Sequence, residues 1–361
     1  MSRFQVATEI TPAPPPRRRR PRYLRRLAPD CSQAVRRTVQ IAFLALNVCI
    51  GIQFYLFIRQ FENGEQVLKY SRPPGVEGYL PIAGLMNLKA FLVTGEVPAI
   101  HPAAMVLIAT FLVMSILFRK AFCGWLCPVG TLSEALWKHG RATFGRTFDP
   151  PRWLDIPLRS LKYILLGLFL YVVIVSPVVY IRAFLSSPYG LIADVQMLNF
   201  FRYLSVVSAV TLGILLIGSI FVKNLWCRFL CPYGALMGLG ALFSPLRIRR
   251  DPKRCIDCAK CAKVCPSRLP VDTKLQIRSA ECLGCLECVA VCPAEGALDM
   301  SLAGKRPFGR VRTEPLWIAA GIAILFLGAV GLAKLTGHWD SPIANEIYGE
   351  LIPRAREFGH P

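Results

Sequence analysis

The chain has 361 residues, of which 54% are hydrophobic, 43 are Lys or Arg and 22 are Asp or Glu, so its formal net charge is +21. Its mean hydropathy of +0.44 excludes a disordered or nucleic-acid-binding basic protein, because such chains contain few large apolar residues. The 14 cysteines are too sparse for a small disulfide scaffold, and twelve of them fall in four groups that each end in Cys-Pro.

The first segment, residues 1–37, is rich in Arg and Pro and contains the run TPAPPPRRRRPRYLRR. It has too few apolar residues to fold, so we predict a disordered arm that contacts anionic membrane lipid. The first apolar run follows this arm without a small-residue cleavage pattern, so we expect it to be an uncleaved anchor rather than a signal peptide.

Five apolar runs have about the length that a helix needs to cross a bilayer core of about 30 Å. They are residues 39–58, 102–118, 161–181, 204–222 and 316–333. The second is at the short limit, and the third carries Lys162 and Pro177 near its ends, which snorkelling and kinking accommodate. The prediction is a mostly α-helical, polytopic membrane bundle.

The distribution of basic residues predicts the orientation of this bundle. Residues 1–40, 119–160 and 223–314 together hold 33 of the Lys and Arg, whereas residues 59–103, 182–203 and 335–361 hold 8. The positive-inside rule therefore predicts that the N-terminus and residues 223–314 lie in the cytoplasm and that the C-terminal tail lies on the other side of the membrane.

An internal repeat supports the same topology. The order span, outer loop, span and CxxxCP occurs twice and ends in AFCGWLCPVG and in LWCRFLCPYG. The outer loops also resemble each other, GYLPIAGLMNLKAF at 78–91 and PYGLIADVQMLNFF at 188–201. We predict a tandem two-helix repeat about an axis along the membrane normal. Each outer loop is a candidate re-entrant or interfacial helix, either for packing or as a surface for a quinone or partner.

The predicted domains follow from these boundaries. They are the arm (1–37), a four-helix membrane domain (38–244), a cytoplasmic ferredoxin-like α+β domain (245–314), a fifth membrane helix (315–335) and an extracytoplasmic tail (336–361).

Residues 255–293 contain the spacing C-x2-C-x2-C-x3-C-P twice, which is typical of a bacterial two-cluster ferredoxin. In that arrangement the fourth cysteine of each run ligates the cluster of the other run. We therefore predict one 4Fe-4S cluster on Cys255, Cys258, Cys261 and Cys292, and a second on Cys282, Cys285, Cys288 and Cys265. The alternative is a pair of zinc sites, but the segment has no histidine and lacks the wider spacing of zinc knuckles.

The two CxxxCP pairs are Cys123 with Cys127 and Cys227 with Cys231. Residues i and i+4 share one face of a helix, so each pair presents two sulfur atoms together. Brought together by the repeat, the four thiolates could hold a third metal or redox centre at the membrane face. The alternative is that these cysteines only pack or form a disulfide. We expect the two isolated cysteines, Cys31 and Cys49, to be inert.

With two CxxxCP motifs on membrane helices and a following two-cluster segment, the sequence resembles the NapH/NosR-type polyferredoxin family over residues 38–335. That resemblance implies electron transfer between the quinone pool or a cytoplasmic donor and a respiratory or exported redox partner. It also implies a bacterial inner-membrane protein whose C-terminal tail is periplasmic. It also implies functional roles for the twelve cysteines named above. Two alternatives stay open: a copper or metal reductase or cofactor-assembly factor for a respiratory enzyme, and a redox-sensing or structural scaffold.

Overall fold

A computed structural model describes residues 30–64, 69–148, 150–302 and 315–359 of the chain. Its helices are α1 (Ser32–Glu62), α2 (Pro81–Thr94), α3 (Pro102–Phe118), α4 (Pro128–Phe144), α5 (Arg152–Val175), α6 (Val178–Leu185), α7 (Pro188–Leu191), α8 (Ala193–Arg202), α9 (Val206–Phe221), α10 (Pro232–Leu242), α11 (Lys260–Val264), α12 (Glu287–Ala290), α13 (Pro315–Leu335) and α14 (Asn345–Leu351). The strands are β1 (Leu246–Arg250) and β2 (Leu298–Leu302). A 3-10 helix lies at Pro74–Tyr79, and π-helical turns lie at Phe122–Leu126 and Trp226–Leu230.

Residues 1–29 of the predicted arm lie outside the described residues. Helix α1 begins at Ser32, within the segment 1–37 that the sequence predicts to be an arm, and it buries both Ser32 and Arg36. Arg36 is not a solvated charge, since its guanidinium forms an ion pair with the carboxylate of Glu134 on α4. Tertiary pairing therefore extends the first helix into sequence that reads as part of a basic tail.

The fold is that of a mostly helical membrane protein. Among the described residues, three helices are long and apolar enough to cross a membrane: Ser32–Glu62, Trp153–Val175 and Pro315–Leu335. A fourth span results if Ala193–Arg202 and Val206–Phe221, which meet at a bend of 80°, form one broken crossing. Helix α3 is apolar but only 17 residues long, so the count of five spans stays a prediction.

The third predicted run does not continue through Pro177. Helix α5 ends at Val175, and Ser176 is extended with φ −62° and ψ 122°. A proline disfavours the helical conformation of the residue before it, and this restriction separates α5 from α6.

The internal repeat is visible in the order of the elements, because each half contains a long helix, an outer segment of shorter helices and an apolar helix before a π-helical turn, and one helix after it. The helices that follow the turns are exchanged between the halves: α4 packs on α9, and α10 packs on α3. Gly140 of α4 lies against the Ile220 backbone, and Ser115 of α3 donates a 3.2 Å hydrogen bond to the sulfur of Met237 on α10. This exchange draws the two CxxxCP turns toward the middle of the bundle.

The ferredoxin-like segment is closed by a small antiparallel sheet. Strand β1 pairs with β2 in the register Leu246 to Leu302 and Ile248 to Met300. Ile248 and Met300 belong to a hydrophobic core that also contains Phe111 of α3 and Ile318 of α13. The segment therefore shares one core with the membrane helices instead of hanging from them by a linker.

At the other end of α1, the outer loops of the two halves are joined by buried charges. Arg72 lies 2.9 Å from Glu77 and 2.7 Å from Asp194, and His101 contacts both Glu77 and the carbonyl oxygen of Gly190. The two predicted outer-loop helices are helical in the structure. Most of the predicted tail is also folded, with α14 packed on α1 in a second hydrophobic core.

The exchange of α4 onto α9 can be tested with a single methyl group. A Cβ atom at Gly140 would overlap the Ile220 carbonyl, so Gly140→Ala should destabilise the protein by about 1–3 kcal/mol and lower its Tm. Gly167→Ala in α5 is the matched control, because a Cβ there meets nothing within 4 Å. Thermal unfolding of both variants in detergent checks this, and an unchanged Tm for Gly140→Ala would contradict the packing described.

Candidate iron–sulfur sites and an adjoining cavity

The eight ferredoxin cysteines separate into two groups of four, each around its own small pocket. Cys265, Cys282, Cys285 and Cys288 line one pocket, here called site B, and all four are buried. Cys255, Cys258, Cys261 and Cys292 line the other, here called site A, where Cys258 is exposed. The two groups around the pockets are the crossed sets that the spacing predicts. Among the described residues, no three His, Cys, Asp or Glu side chains are close enough to bind a single metal ion.

The backbone around the two pockets repeats an uncommon conformation. In each run the residues immediately before and after the second cysteine have positive φ angles: Asp257 and Ala259 near 54°, Gly284 at 64° and Leu286 at 59°. Left-handed residues in a tight loop turn successive N–H groups toward one centre and create a concavity suited to an anion. A thiolate-ligated cluster carries negative charge, so this loop geometry fits a cluster at both sites.

The predicted i and i+4 relation assumed that the CxxxCP motifs are continuous α-helices, and they are not. Each forms a π-helical turn, closed by hydrogen bonds from Cys127 N to Phe122 O at 2.8 Å and from Cys231 N to Trp226 O at 3.0 Å. Such turns occur frequently at functional sites. Cys127 and Cys231 then become the N-cap residues of α4 and α10, with the extended backbone that a following proline favours.

The glycine that follows each Cys-Pro has a steric role. A Cβ atom on Gly130 would lie 2.6 Å from the carbonyl oxygen of Cys123, so only glycine fits there without movement. In the second half, the Gly234 N–H donates a 3.2 Å hydrogen bond to the sulfur of Cys231. The helix N-terminus therefore stabilises negative charge on that sulfur, which is the form that binds a metal.

All four CxxxCP cysteines line one cavity of about 520 Å³. Its walls are mainly apolar and come from α1, α3, α13, the 3-10 helix and both π-helical turns; they include Phe43, Ile50, Leu107, Phe111, Phe122, Leu283, Phe326 and Val330. A few polar side chains interrupt this lining: Asn47, Tyr79, Lys120, Glu134, Asn224 and Tyr233. The cavity has the volume and composition of a site for a lipophilic small molecule.

One polar atom in this cavity has no protein partner. The side chain of Asn224 is buried, and its Oδ1 atom makes no hydrogen bond within the described part of the chain. Tyr79 and Asn47, by contrast, pair with each other at 2.8 Å. A buried and unpaired amide oxygen is costly, so Asn224 fits a ligand that carries a hydrogen-bond donor.

Site B lies directly behind this cavity. Leu283 lines both the cavity and the site B pocket. The two walls touch closely, because a Cβ on Gly124 would lie 2.6 Å from the Leu283 carbonyl oxygen, and Trp125 Nε1 donates a 3.2 Å hydrogen bond to Gly284 O. A single side-chain layer therefore separates the CxxxCP turns from the cysteines of site B.

A buried group of charges connects the same two regions. Glu281, which precedes Cys282, accepts hydrogen bonds from Lys162 Nζ at 2.6 Å and Tyr163 OH at 2.7 Å, and Lys120 Nζ lies 3.8 Å away. Burial alone would raise the pKa of Glu281, but the two lysines lower it to about 2. Lys162 is fully buried in this pair and does not snorkel as predicted. Two lysines against one carboxylate leave positive charge beside the thiolates.

A second buried network ties α1 and α4 to site B. Arg36 and Lys138 both pair with Glu134 and with Glu287, which precedes Cys288. Burial opposes ionisation, but Arg36 and Lys138 outweigh it and hold the pKa of the Glu134 carboxyl well below its usual range. Gln33 Nε2 also donates a 2.9 Å hydrogen bond to Cys285 O. These contacts fix the site B loop against the membrane helices.

Sequence reasoning found every cysteine of these sites but missed the residues around them. Lys120 and Asn224 each lie three residues before the first cysteine of a CxxxCP motif. Their matching position in the two repeats is the sequence feature that could have identified them as site residues. Nothing in the sequence connected either residue, or Leu283, with a shared cavity.

Two family profiles match the chain at these sites. The family described as "4Fe-4S binding domain" matches residues 100–147 and 204–250, which contain the two CxxxCP motifs. The family described as "4Fe-4S dicluster domain" matches residues 247–293, which contain the eight ferredoxin cysteines. The chain therefore carries iron–sulfur binding domains, in agreement with the sequence prediction.

Known proteins match the chain over different lengths. It is 47% identical over 328 residues to the "Putative electron transport protein YccM" of Escherichia coli, covering 90% of this chain and 91% of the relative. It is 33% identical to the "Regulatory protein NosR" of Pseudomonas aeruginosa over 43% of this chain and 22% of that protein. It is 30% identical to the "Ferredoxin-type protein NapH" of Haemophilus influenzae over 48% of this chain and 59% of that protein. No solved structure gives a significant match.

The crossed grouping of cysteines predicts that two single-cysteine variants perturb different centres. Cys292→Ser should perturb the centre at site A, which includes the exposed Cys258, and Cys265→Ser should perturb the buried centre at site B. Low-temperature EPR of the reduced variants checks this, together with the loss of iron and sulfide relative to the parent protein, about four of each for one 4Fe-4S cluster. Uncrossed ligation would interchange the two outcomes.

Proposed function

Since the chain belongs to the NapH/NosR-type polyferredoxin family, we propose that it transfers electrons within the membrane between a quinone and a redox partner protein. The observation that carries this proposal is the shared wall at Leu283 between the apolar cavity and site B. The iron–sulfur clusters supply one-electron transfer, and the protein binds, orients and insulates them.

We propose that Cys123, Cys127, Cys227 and Cys231 hold a third redox-active metal centre. Their convergence on one cavity and the match of both motifs to a 4Fe-4S binding family favour it. Lys120 lines the cavity beside them, and its positive charge would offset the charge of four thiolates.

The cavity is proposed to bind the quinone or quinol. Its apolar wall suits the ring and the isoprenoid tail, and the Asn224 amide offers a hydrogen bond to a quinol hydroxyl group. Oxidation of a quinol releases two electrons and two protons. We propose that Cys123, Cys127, Cys227 and Cys231 would hold a metal centre that accepts these electrons one at a time.

The burial of the cysteines supports an order for the remaining steps. Site B is buried and adjoins the cavity, whereas Cys258 of site A is exposed to solvent. We propose that electrons would pass from the cavity to the CxxxCP centre, then to site B and then to site A. A cluster at site A would exchange them with a cytoplasmic protein. Electrons would pass through the same sites in the reverse order when the partner protein is the donor.

Removal of one cysteine from each CxxxCP pair tests the relay. In the Cys123→Ser/Cys227→Ser variant we expect quinol-dependent reduction of the ferredoxin clusters to fall to background, because the entry centre loses half of its ligands. The ferredoxin EPR signals after dithionite reduction should remain, since these cysteines line neither site A nor site B.

Cys31→Ser/Cys49→Ser is the matched control, because it removes the same number of thiols from positions that do not line the cavity. It should behave as the parent protein. Parent-like turnover in the Cys123→Ser/Cys227→Ser variant would leave the CxxxCP cysteines with a packing role only.

The role of Asn224 gives a separate prediction. Asn224→Leu keeps the side-chain size but removes the acceptor, so the KM for a ubiquinol or menaquinol analogue should rise about tenfold, corresponding to about 1.4 kcal/mol. Steady-state quinol oxidation with an artificial acceptor measures this, with dithionite-reduced EPR spectra as a check on the clusters. A KM unchanged for both quinols would place the ring elsewhere in the cavity.

A further inference from the structure

The surface around site A has a strong charge bias. Along residues 250–296 six exposed side chains are basic, whereas two are acidic: Lys253, Arg254, Lys260, Lys263, Lys274 and Arg278 against Asp257 and Glu295. Asp257 is itself paired with Arg250 at 3.1 Å. The exposed surface around site A is therefore positively charged.

Two exposed apolar side chains lie within this basic surface. Ile256 lines the site A pocket and is 38% exposed, and Leu275 is 62% exposed. Leu275 belongs to the same surface, because its carbonyl oxygen accepts a 2.9 Å hydrogen bond from the backbone N–H of Arg250, which also lines the pocket. Apolar residues surrounded by charges, next to an exposed ligand cysteine, are the composition of a transient protein-docking surface.

We propose that this basic surface docks a small soluble redox protein whose own redox centre is surrounded by acidic residues. The inference rests on the proposed electron-transfer function and names the partner of site A. Charge complementarity selects this occupant, because a positive surface raises the association rate of an acidic protein and lowers that of a basic one.

The exchange at this surface is the transfer of one electron between two metal centres. One centre loses the electron and the other gains it, and no bond or proton is involved. Exposure of Cys258 allows the partner's centre to approach without a change in the fold. Electrostatic attraction brings the two together, and the small apolar area at Ile256 and Leu275 keeps the complex short-lived.

The experiment uses the full chain with its clusters, in nanodiscs, and a reduced acidic plant-type [2Fe-2S] ferredoxin as the probe donor. Stopped-flow absorbance measures the second-order rate of reduction of the oxidised protein at several salt concentrations. We expect the parent rate to fall as salt rises, and Lys253→Glu/Lys274→Glu to lower the low-salt rate at least tenfold and to flatten the salt dependence. Leu275→Ser should slow the reaction at all salt concentrations.

Arg141→Glu/Arg146→Glu is the matched control, because it makes the same charge change at exposed positions near the end of α4, outside both cluster pockets. Its rate should equal that of the parent protein. Equal effects of the two double variants, or a parent rate that does not depend on salt, would overturn the proposed docking surface.

Quinol-dependent reduction of the clusters, measured on the same samples, separates the two proposals. If quinol reduces the clusters of every variant while Lys253→Glu/Lys274→Glu reacts with the ferredoxin as the parent does, only the docking surface is wrong. If quinol fails to reduce the parent protein although dithionite does, the proposed quinone function is wrong.

Discussion

The close contact between a membrane turn and a ferredoxin loop is the constraint on which the other sites depend. Gly124 has no side chain, so the first CxxxCP turn approaches the Leu283 carbonyl directly, and Trp125 bonds to the neighbouring Gly284. Electron transfer between protein-bound centres needs short separations. The missing side chain at Gly124 shortens the distance between the first CxxxCP turn and the loop of site B. The same contact explains why the two domains share one hydrophobic core.

Burial of this contact requires the adjacent charges to be paired. Glu281 and Glu287 each precede a cysteine of site B, and each is paired with lysine or arginine side chains from α1, α4 or α5. Removal of one partner from such a pair leaves an uncompensated buried charge, which costs about 3–5 kcal/mol. The pairs therefore specify how the ferredoxin loop sits on the bundle, and they place positive charge where thiolate-bound clusters add negative charge.

The repeat explains why the cavity lies where it does. Each half contributes one π-helical turn, and the exchange of α4 and α10 between the halves brings the two turns face to face. The halves are not equivalent in their surroundings, because the first turn approaches Leu283 and Gly284 closely, whereas the second turn packs on α5. A duplicated motif has thus produced one asymmetric site, with a lipophilic cavity on one side and site B on the other.

The sequence by itself determined the positions of the twelve motif cysteines, the repeat and the mostly helical membrane fold, and it predicted the crossed grouping of the eight ferredoxin cysteines. These features follow from local spacing and apolar run length, which the chain carries without reference to distant residues. The tertiary structure decided the start of α1 at Ser32, the pairing of Lys162, the π-helical turns and the cavity beside Asn224. Each of these depends on groups far apart in the chain, and neither a buried ion pair nor a void between helices leaves a periodic pattern in the sequence.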